Sequence, residues 1–341
     1  MTSSDVVPTG SPYPFVTIAI PTFNRAALLK GCVTSALSQT YPHFEVVVSN
    51  NASSDETEDV LSGFKDARLR IINQQTNIGL LPNWNACLAS AKGDYIVFVS
   101  DDDRIAPWLL ERCARLITQQ PHLSTVIALS NVHAASFGRT KAARTSRSRD
   151  TGIWDGTDIL TDFLTDQVTV AICSVAMSTA LLRARGGFPL DLPHTADVGA
   201  WAPLLLLGKA GFVNEACATF TCHNNSETAR LGVEQLLYDG RKAADLIAST
   251  ADLHVADPQQ RKAIKVQAQR HFAHRALIAL SDYRSSGGAV RQMLNVAWRF
   301  RHDLYNASLH AVLRFIAVAF IPQSFAAKLR QLRHSTLARP A

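Results

Sequence analysis

From residue 15 to residue 131 the chain alternates short, continuous apolar runs with stretches of helical period. Residues 15–20, 44–49, 69–73, 95–100 and 123–131 read as strands. Residues 26–39, 55–64, 83–91 and 107–119 read as the helices between them. The second helix opens on a Ser-Ser-Asp start signal, and the fourth places Pro107 in its first turn, where the missing N–H costs little. β-rich runs without polar alternation, separated by helices, predict an α/β fold whose parallel sheet is covered on both faces. In such sheets ligands bind beyond the C-terminal ends of the strands.

The pattern then changes. Residues 134–152 hold Arg139, Lys141, Arg144, Arg147 and Arg149 among Ser, Thr and Ala with no periodicity, which predicts a mobile basic loop. That loop is either plainly solvated or a lid over an anionic ligand. A helix is expected over 156–166, an apolar stretch over 171–182, a helix over 201–209 and a strand over 212–220. From Val233 onward the pattern is helical: Asp257-Pro258 is an N-cap followed by proline at the first helical position, and Ile264, Ala268 and Phe272 recur at helical spacing. The expected organisation is a disordered leader over 1–14, a catalytic domain over 15–232 whose halves are 15–133 and 134–232, and a basic helical region over 233–341.

Charge sharpens that division. The net charge is +6, but residues 258–341 carry 14 Lys and Arg against 2 Asp and Glu, so the rest of the chain is net acidic. The six cysteines (Cys32, Cys87, Cys113, Cys173, Cys217 and Cys222) form no C-x-x-C pair and fit a reduced, cytosolic protein. The first 14 residues lack the basic and apolar regions of a signal peptide. No apolar stretch is long enough to span a bilayer.

Polar chemistry gathers at the expected strand ends. Pro21-Thr22-Phe23-Asn24-Arg25 follows the first, and Ser49-Asn50-Asn51-Ala52-Ser53-Ser54-Asp55 the second. Asn77-Ile78-Gly79, leading to Asn83, follows the third, and Ser100-Asp101-Asp102-Asp103 the fourth. In this order and spacing, with the A-K-G-D-Y-I run before the acids, the set resembles the family 2 inverting glycosyltransferases of the GT-A fold. The likeness is to the bacterial branch that builds O-antigen and other surface polysaccharides, and it covers about residues 15 to 230. It implies a Rossmann-like, mostly parallel sheet flanked by helices and a sugar transfer from a nucleoside diphosphate donor to an acceptor hydroxyl.

Three adjacent carboxylates at the end of a buried strand repel one another and need a cation or solvent. Mn²⁺ or Mg²⁺, a hard ion, takes carboxylate and phosphate oxygens and would offset charge on a leaving nucleotide. The resemblance places the family's D-x-D motif here, with Ser100 where many members have Asp. It implies Asp102 as the metal-facing carboxylate, with Asp101 and Asp103 in support. Asp103 has a second reading, as the cap of the helix after Pro107.

Pro21, Thr22, Asn24 and Arg25 are expected to meet the nucleotide. Asn50 falls where many members place an Asp that binds uracil, and an amide can turn either face outward. UDP, dTDP, GDP and CDP donors therefore all stay open. Asn77 and Gly79 join this set or form a turn, and Asn83 joins it or caps a helix. Further on, Gly186-Gly187-Phe188-Pro189 and His194-Thr195-Ala196-Asp197 are similar to the family's G-G-F segment and acid pair, with Ala196 replacing the first acid. The resemblance implies Asp197 as the base that takes the acceptor proton; a helix cap is its other reading, and His194 is a rival base. His223, in Cys222-His223-Asn224-Asn225-Ser226, matches the family's H-x-x-S segment, which implies contact with a metal or phosphate; Arg230 is placed to pair with phosphate.

The tail carries a last expectation. The stretch 306–321 is largely apolar, and Phe325, Leu329 and Leu332 recur at helical spacing among Lys328, Arg330 and Arg333. That pattern fits a helix lying on an anionic membrane surface, or one packing on the domain or on a second subunit. The acceptor is expected to be a glycan or lipid-linked, the location cytoplasmic or peripheral on the inner face of the plasma membrane. The acidic body argues against nucleic acid. Ser100 and Ala196 keep one alternative open, a nucleotide-sugar-binding or interaction protein with impaired catalysis.

Overall fold

The computed structural model describes residues 13–135, 138–143, 149–223, 231–320, 322 and 325. Its centre is one sheet ordered β3-β2-β1-β4-β9-β6-β10-β5, with β7 beside β6 and β8 beside β10. The strands are β1 (Val16–Thr22), β2 (Phe44–Asn50), β3 (Leu69–Asn73), β4 (Tyr95–Phe98), β5 (Arg104–Ile105), β6 (Thr125–Ala134), β7 (Arg139–Lys141), β8 (Gly152–Asp155), β9 (Val175–Ser178) and β10 (Lys209–Cys222). Helices α1 (Ala26–Leu37), α2 (Thr57–Ser62), α3 (Leu80–Ser90) and α4 (Leu109–Gln119) alternate with the first strands, and α5 (Gly156–Leu164), α6 (Thr179–Ala184) and α7 (Ala196–Leu205) follow. The chain closes on α8 (Val233–His254), α9 (Pro258–Ser285), α10 (Val290–Arg299), α11 (Arg301–Leu304) and α12 (Leu309–Phe320).

Every residue of β1, β2 and β4 is buried, which is why these strands read as unbroken apolar runs. Strands β3, β2, β1 and β4 run parallel, and β6 and β10 run in the same direction. The antiparallel β9 separates β4 from β6. The register sets Thr22 level with Asn50 and Asn50 level with Asn73, so three polar strand ends share one edge. One core layer, under α1, α2 and α4, contains Ile18, Leu29, Val46 and Leu110. The opposite layer, under α3, α5 and α7, contains Phe98, Phe163, Phe188 and Trp201.

Several boundaries differ from the sequence expectation. Part of the stretch read as a basic loop pairs into the sheet, β7 with the end of β6, and β8 begins at its last residue, Gly152, and pairs with the start of β10. Arg149 pairs with Asp162 and lies over the Trp154 ring; Arg144 and Arg147 lie outside the described residues. Short edge strands of basic and small residues carry no apolar period, so their pairing partners alone specify them. The apolar stretch 171–182 divides into a turn, β9 and α6. Helix α7 starts at Ala196, five residues before the expected start, and includes Pro203. Lys209, expected to end that helix, instead begins β10. The helical region shares the larger core: Ala243, Ile247, Ile264, Ala268 and Phe272 join Phe98 and Trp201, so packing continues across the boundary drawn at residue 232. The leader, apart from Tyr13 and Pro14, lies outside the described residues.

Candidate active site

The loop after β4 turns its three carboxylates in different directions. Asp102 keeps a solvent-facing edge, and its Oδ2 receives His223 Nε2 at 2.6 Å and Arg25 Nη1 at 3.4 Å. Arg25 Nη1 also lies 3.2 Å from His223 Nε2. These side chains come from the ends of β4, β10 and β1, brought together by the parallel sheet. Asp101 is nearly buried and accepts a hydrogen bond from Thr22 Oγ1 at 2.8 Å. Asp103 is fully buried, and its Oδ1 accepts from the Thr221 backbone N–H at 2.8 Å. Strand β5 makes that bond possible, because it folds the chain after Asp103 back against Ala218 and Thr219.

Burial, then the neighbouring Asp102 charge, pushes the Asp101 carboxyl up to about 7 against the bond from Thr22. The same two causes, in the same order, push Asp103 up to about 8 against the bond from Thr221. Its Oδ2 is buried without a hydrogen-bond partner among the described residues. The expectation of Asp103 as a metal ligand is therefore corrected: its carboxyl points into the interior and anchors β10. The helix-cap reading of Asp103 also fails, since the described bond goes to a strand and Trp108 occupies the cap of α4.

Asp102 and His223 supply one hard oxygen and one imidazole at a single point. Among the described residues no group of three or more His, Cys, Asp or Glu is arranged to hold an ion. The pair suits a divalent cation that completes its shell with phosphate oxygens and water, the usual manner for Mg²⁺.

The second strand end is a hydrogen-bonded lattice of amides. Asn50, buried, donates to Asn73 Oδ1 at 3.2 Å and accepts from Ser53 N at 3.1 Å. Asn51 donates to Asn77 Oδ1 at 2.9 Å and to the Gly79 carbonyl at 3.2 Å, and accepts from Ile78 N at 2.9 Å. Gly79 has φ 93°, which a β-carbon would strain, and it is the N-cap of α3. Asn83 is thus neither that cap nor open to a nucleotide. It is buried inside α3, donating to the Ser49 carbonyl at 3.0 Å and accepting from Ser49 Oγ at 2.7 Å. Asn24, at φ 53° and exposed, accepts from Ser54 N at 2.8 Å. Pro21 is buried at the end of β1, beyond the pairing with β4. Asp55 accepts from the Ala26 N–H at 3.0 Å and so fixes the start of α1 beside Arg25. Burial alone would raise its pKa, but bonds from Thr57 and Ala26 outweigh it and hold the carboxyl below its usual range.

The other wall comes from the chain after β9. Phe188 docks edge-on against Trp84 and Phe98, with centroids 4.9 and 4.6 Å away. Asn85 clamps it, accepting from Phe188 N at 2.8 Å and donating to its carbonyl at 3.1 Å. Strand β10 begins beside Ser124 at the N-terminal edge of the sheet. Helix α7, about 15 Å long at 1.5 Å per residue, carries the chain from its first turn, after the loop that follows Phe188, to the start of β10. Asp197 occupies that first turn, half-buried. Burial pushes its carboxyl up to about 6, against lowering bonds from the Val198 and Asp197 amides. Asp197 is not the helix cap: Thr195 is the N-cap residue, and Asp197 stands at the second helical position. His194 is pushed down to about 4 by burial and by Arg275 of α9, and its Nδ1 is buried without a partner among the described residues. So lowered, the ring is a weaker proton acceptor than Asp197. Arg230 lies outside the described residues. From the sequence Asn51 and Asp55 read only as parts of a polar segment and a helix start, and Asn85 is not singled out; each acts by holding a loop.

Asp101 and Asp103 bind protons more tightly in the folded protein than in the unfolded chain. Folding therefore takes up protons between about pH 4 and 8, and metal-free stability falls as pH rises through that window. The melting temperature of EDTA-treated protein is expected to decline from about pH 5 to pH 8. Asp103→Asn keeps the acceptor for Thr221 and should flatten the decline; an unchanged slope would contradict the buried, ionisable Asp103.

A model of the family described as "Glycosyl transferase family 2" matches residues 17–181. The chain is 26% identical over 218 residues to the Escherichia coli UDP-Glc:alpha-D-GlcNAc-diphosphoundecaprenol beta-1,3-glucosyltransferase WfaP, covering 63% of this chain and 80% of that one. It is 26% identical over 306 residues to an uncharacterized protein of Mycobacterium tuberculosis, covering 80% of this chain and 96% of the relative. The S. aureus TarS 1–349 structure in complex with UDP-GlcNAc superposes with a TM-score of 0.62 at 18% identity, over 93% of this chain and 92% of that one. The described fold and the family match agree: residues 17–181 match glycosyltransferase family 2, and the fold is GT-A.

Proposed function

We propose that this glycosyltransferase moves a sugar from a nucleoside diphosphate sugar to an acceptor hydroxyl with inversion, in the building of a bacterial surface polysaccharide such as O-antigen. The observation that carries the reading is the convergence of Asp102, His223 and Arg25 on one point at the strand ends; the raised-pKa Asp197 in the first turn of α7 supplies the candidate base. The relatives support the donor class: WfaP is named for UDP-Glc, and TarS was solved with UDP-GlcNAc. The WfaP name also supports a lipid-diphosphate-linked acceptor.

In this reading Asn24, Arg25 and Asn77 face the nucleotide, while Pro21, Thr22, Asn50, Gly79 and Asp101 shape the floor beneath it. Asp102 and His223 would hold Mn²⁺ or Mg²⁺, which when bound offsets charge on the diphosphate. Arg25 adds a fixed cation beside them. Asp197 accepts the proton of the attacking hydroxyl; the new bond forms at the anomeric carbon as the bond to the diphosphate breaks, and the leaving group takes the electron pair. A pKa near 6 leaves Asp197 ionised at neutral pH yet basic enough to take that proton. The absent first acid does not argue for lost catalysis: Ala196 is buried in the core beside Trp201, where a carboxylate would have no solvent.

The C-terminal helices are proposed to rest on anionic lipid, which would set a cytoplasmic enzyme at the inner face of the plasma membrane. Helix α12 buries Ala311 and Val318 while Leu309, Leu313, Ile316 and Phe320 stay exposed, and Trp298 and Tyr305 are exposed nearby. Among the described residues no helix is long and apolar enough to cross a membrane. The tail positions Leu329, Leu332, Lys328, Arg330 and Arg333 lie outside the described residues, while Phe325 is exposed. Each basic residue near an anionic leaflet contributes about 1 kcal/mol, weakened by salt.

Three outcomes are expected. Asp197→Asn removes proton acceptance at constant size, so kcat should fall by about 10²–10⁴ with donor binding little changed, and the wild-type acid limb of kcat/KM should titrate near pH 6. Near-wild-type turnover of that variant would remove Asp197 as the base. Thermal-shift measurements with UDP, dTDP, GDP and CDP plus Mn²⁺ should single out one base by a raised Tm; no shift with any would favour a non-donor role. Co-sedimentation should be strong with anionic vesicles and weak with neutral ones or at high salt. Binding indifferent to lipid charge and to Leu313→Ser with Ile316→Ser would exclude the lipid surface.

A further inference from the structure

We infer that Asp239 and Lys242, both on α8 of the helical region, position the Asp197 base by clamping the loop that leads into α7; the inference rests on the reading of Asp197 as the base. The loop from Pro189 to Thr195 joins the aromatic dock at Phe188 to the first turn of α7. It has no secondary structure of its own to set the angle at which that turn enters the cleft. Asp239 supplies the constraint. It is fully buried, and its Oδ2 accepts the His194 backbone N–H at 2.6 Å, three residues before Asp197. Its Oδ1 accepts from Gln235 Nε2, one turn earlier on α8, at 2.6 Å. Its own backbone carbonyl accepts from Thr195 Oγ1 at 3.3 Å.

That last contact explains a local oddity. Thr195 is the N-cap of α7 yet makes no side-chain cap bond, because its hydroxyl is committed to α8. The helix start is held by another element in place of its own cap. The far end of the loop is tied to the same helix face by the ion pair between Lys242 and Asp191. Close contact finishes the clamp: a β-carbon at Gly199 would come within 2.8 Å of Pro189 Cγ, so the loop lies directly on the first turns of α7.

A buried carboxylate is a costly way to secure a loop, and a raised pKa, from burial against the bonds of His194 and Gln235, registers that cost. A function that needs the loop in one place accounts for its retention. Geometry of this kind matters to a general base because small displacements of a reacting group cost large factors in rate. Burial is the cause of the raised pKa of Asp197, so loosening the loop beside it should let that pKa fall.

The test separates positioning from folding. Backbone hydrogen exchange needs no ligand: Asp239→Ala should raise exchange over residues 189–200 while leaving residues 95–105 as in the wild type. With UDP release from UDP-glucose, or from the donor the nucleotide panel selects, Asp239→Ala should lower kcat at least tenfold with little change in donor KM. The acid limb near pH 6 should move to lower pH as water reaches Asp197. Asp239→Asn should restore most of the rate, since its amide oxygen still accepts from His194 and Gln235 can turn its carbonyl to the new N–H. Should Asp239→Ala fail to fold, Lys242→Met breaks the exposed tether alone and is expected to give the same changes, smaller in size. Wild-type exchange over 189–200 in the variants, or an unmoved acid limb, would overturn the inference. An active Asp197→Asn variant would instead defeat the base assignment beneath it, while inactive Asp197→Asn beside unaffected Asp239→Ala would defeat the clamp alone.

Discussion

Asp101, Asp102 and Asp103 follow one another where the buried strand β4 leaves the sheet, and three charges at that spacing cannot all be desolvated together. The fold settles the conflict by giving each carboxyl a different environment. Asp101 turns to Thr22 and Asp103 to the Thr221 amide, both deep enough that burial favours their neutral forms. Asp102 alone stays at the surface of the cleft, where His223 and Arg25 answer its charge. Each of those partners fixes a piece of architecture. Thr22 ends β1, Thr221 and His223 end β10, and Arg25 precedes α1, so settling one electrostatic problem draws three segments to one point. The strand-end edge thereby keeps one outward carboxylate, which the proposed function assigns to a cation and a diphosphate.

The sequence carried most of the catalytic half's outline, because its strands are buried on both faces and need continuous apolar runs. It carried the strand-end chemistry too, since polar residues at those ends interrupt the apolar pattern abruptly. What it could not carry was direction. Asp102 and Asp103 are chemically identical in the sequence, and only the return of β5 against β10 turns Asp103 inward. Asn83 looked like a ligand because the spacing to Asn77 and Gly79 places it at a helix start. Gly79 begins α3 earlier, which puts Asn83 one turn inside and against Ser49.

The second half was less legible for a different reason. Strand β7 is short and basic, β8 is four residues long, and both lie at the margins of the sheet, where no local pattern specifies them apart from their partners. The link between α8 and the loop before Asp197 spans 45 residues of sequence from His194 to Asp239, and such long-range pairs leave no mark on either segment alone. The helical region was legible as helix but not as part of the catalytic core, although Ala243, Ile247 and Phe272 pack in the same layer as Phe98. The proposed diphosphate site and the proposed base thus draw support from different elements, the strand ends for the first and the C-terminal helices for the second.

The central claim is that Asp102, with His223, holds a divalent cation together with the donor's diphosphate. The most direct measurement is the electron paramagnetic resonance spectrum of Mn²⁺ titrated into metal-free protein, with and without UDP. Two protein donors bind a hard ion weakly alone and well when phosphate oxygens complete the shell. The account therefore predicts that the sharp spectrum of hydrated Mn²⁺ is lost mainly when UDP is present, and that Asp102→Ala abolishes this loss. A wild-type response from Asp102→Ala, or Mn²⁺ capture that ignores the nucleotide, would contradict it.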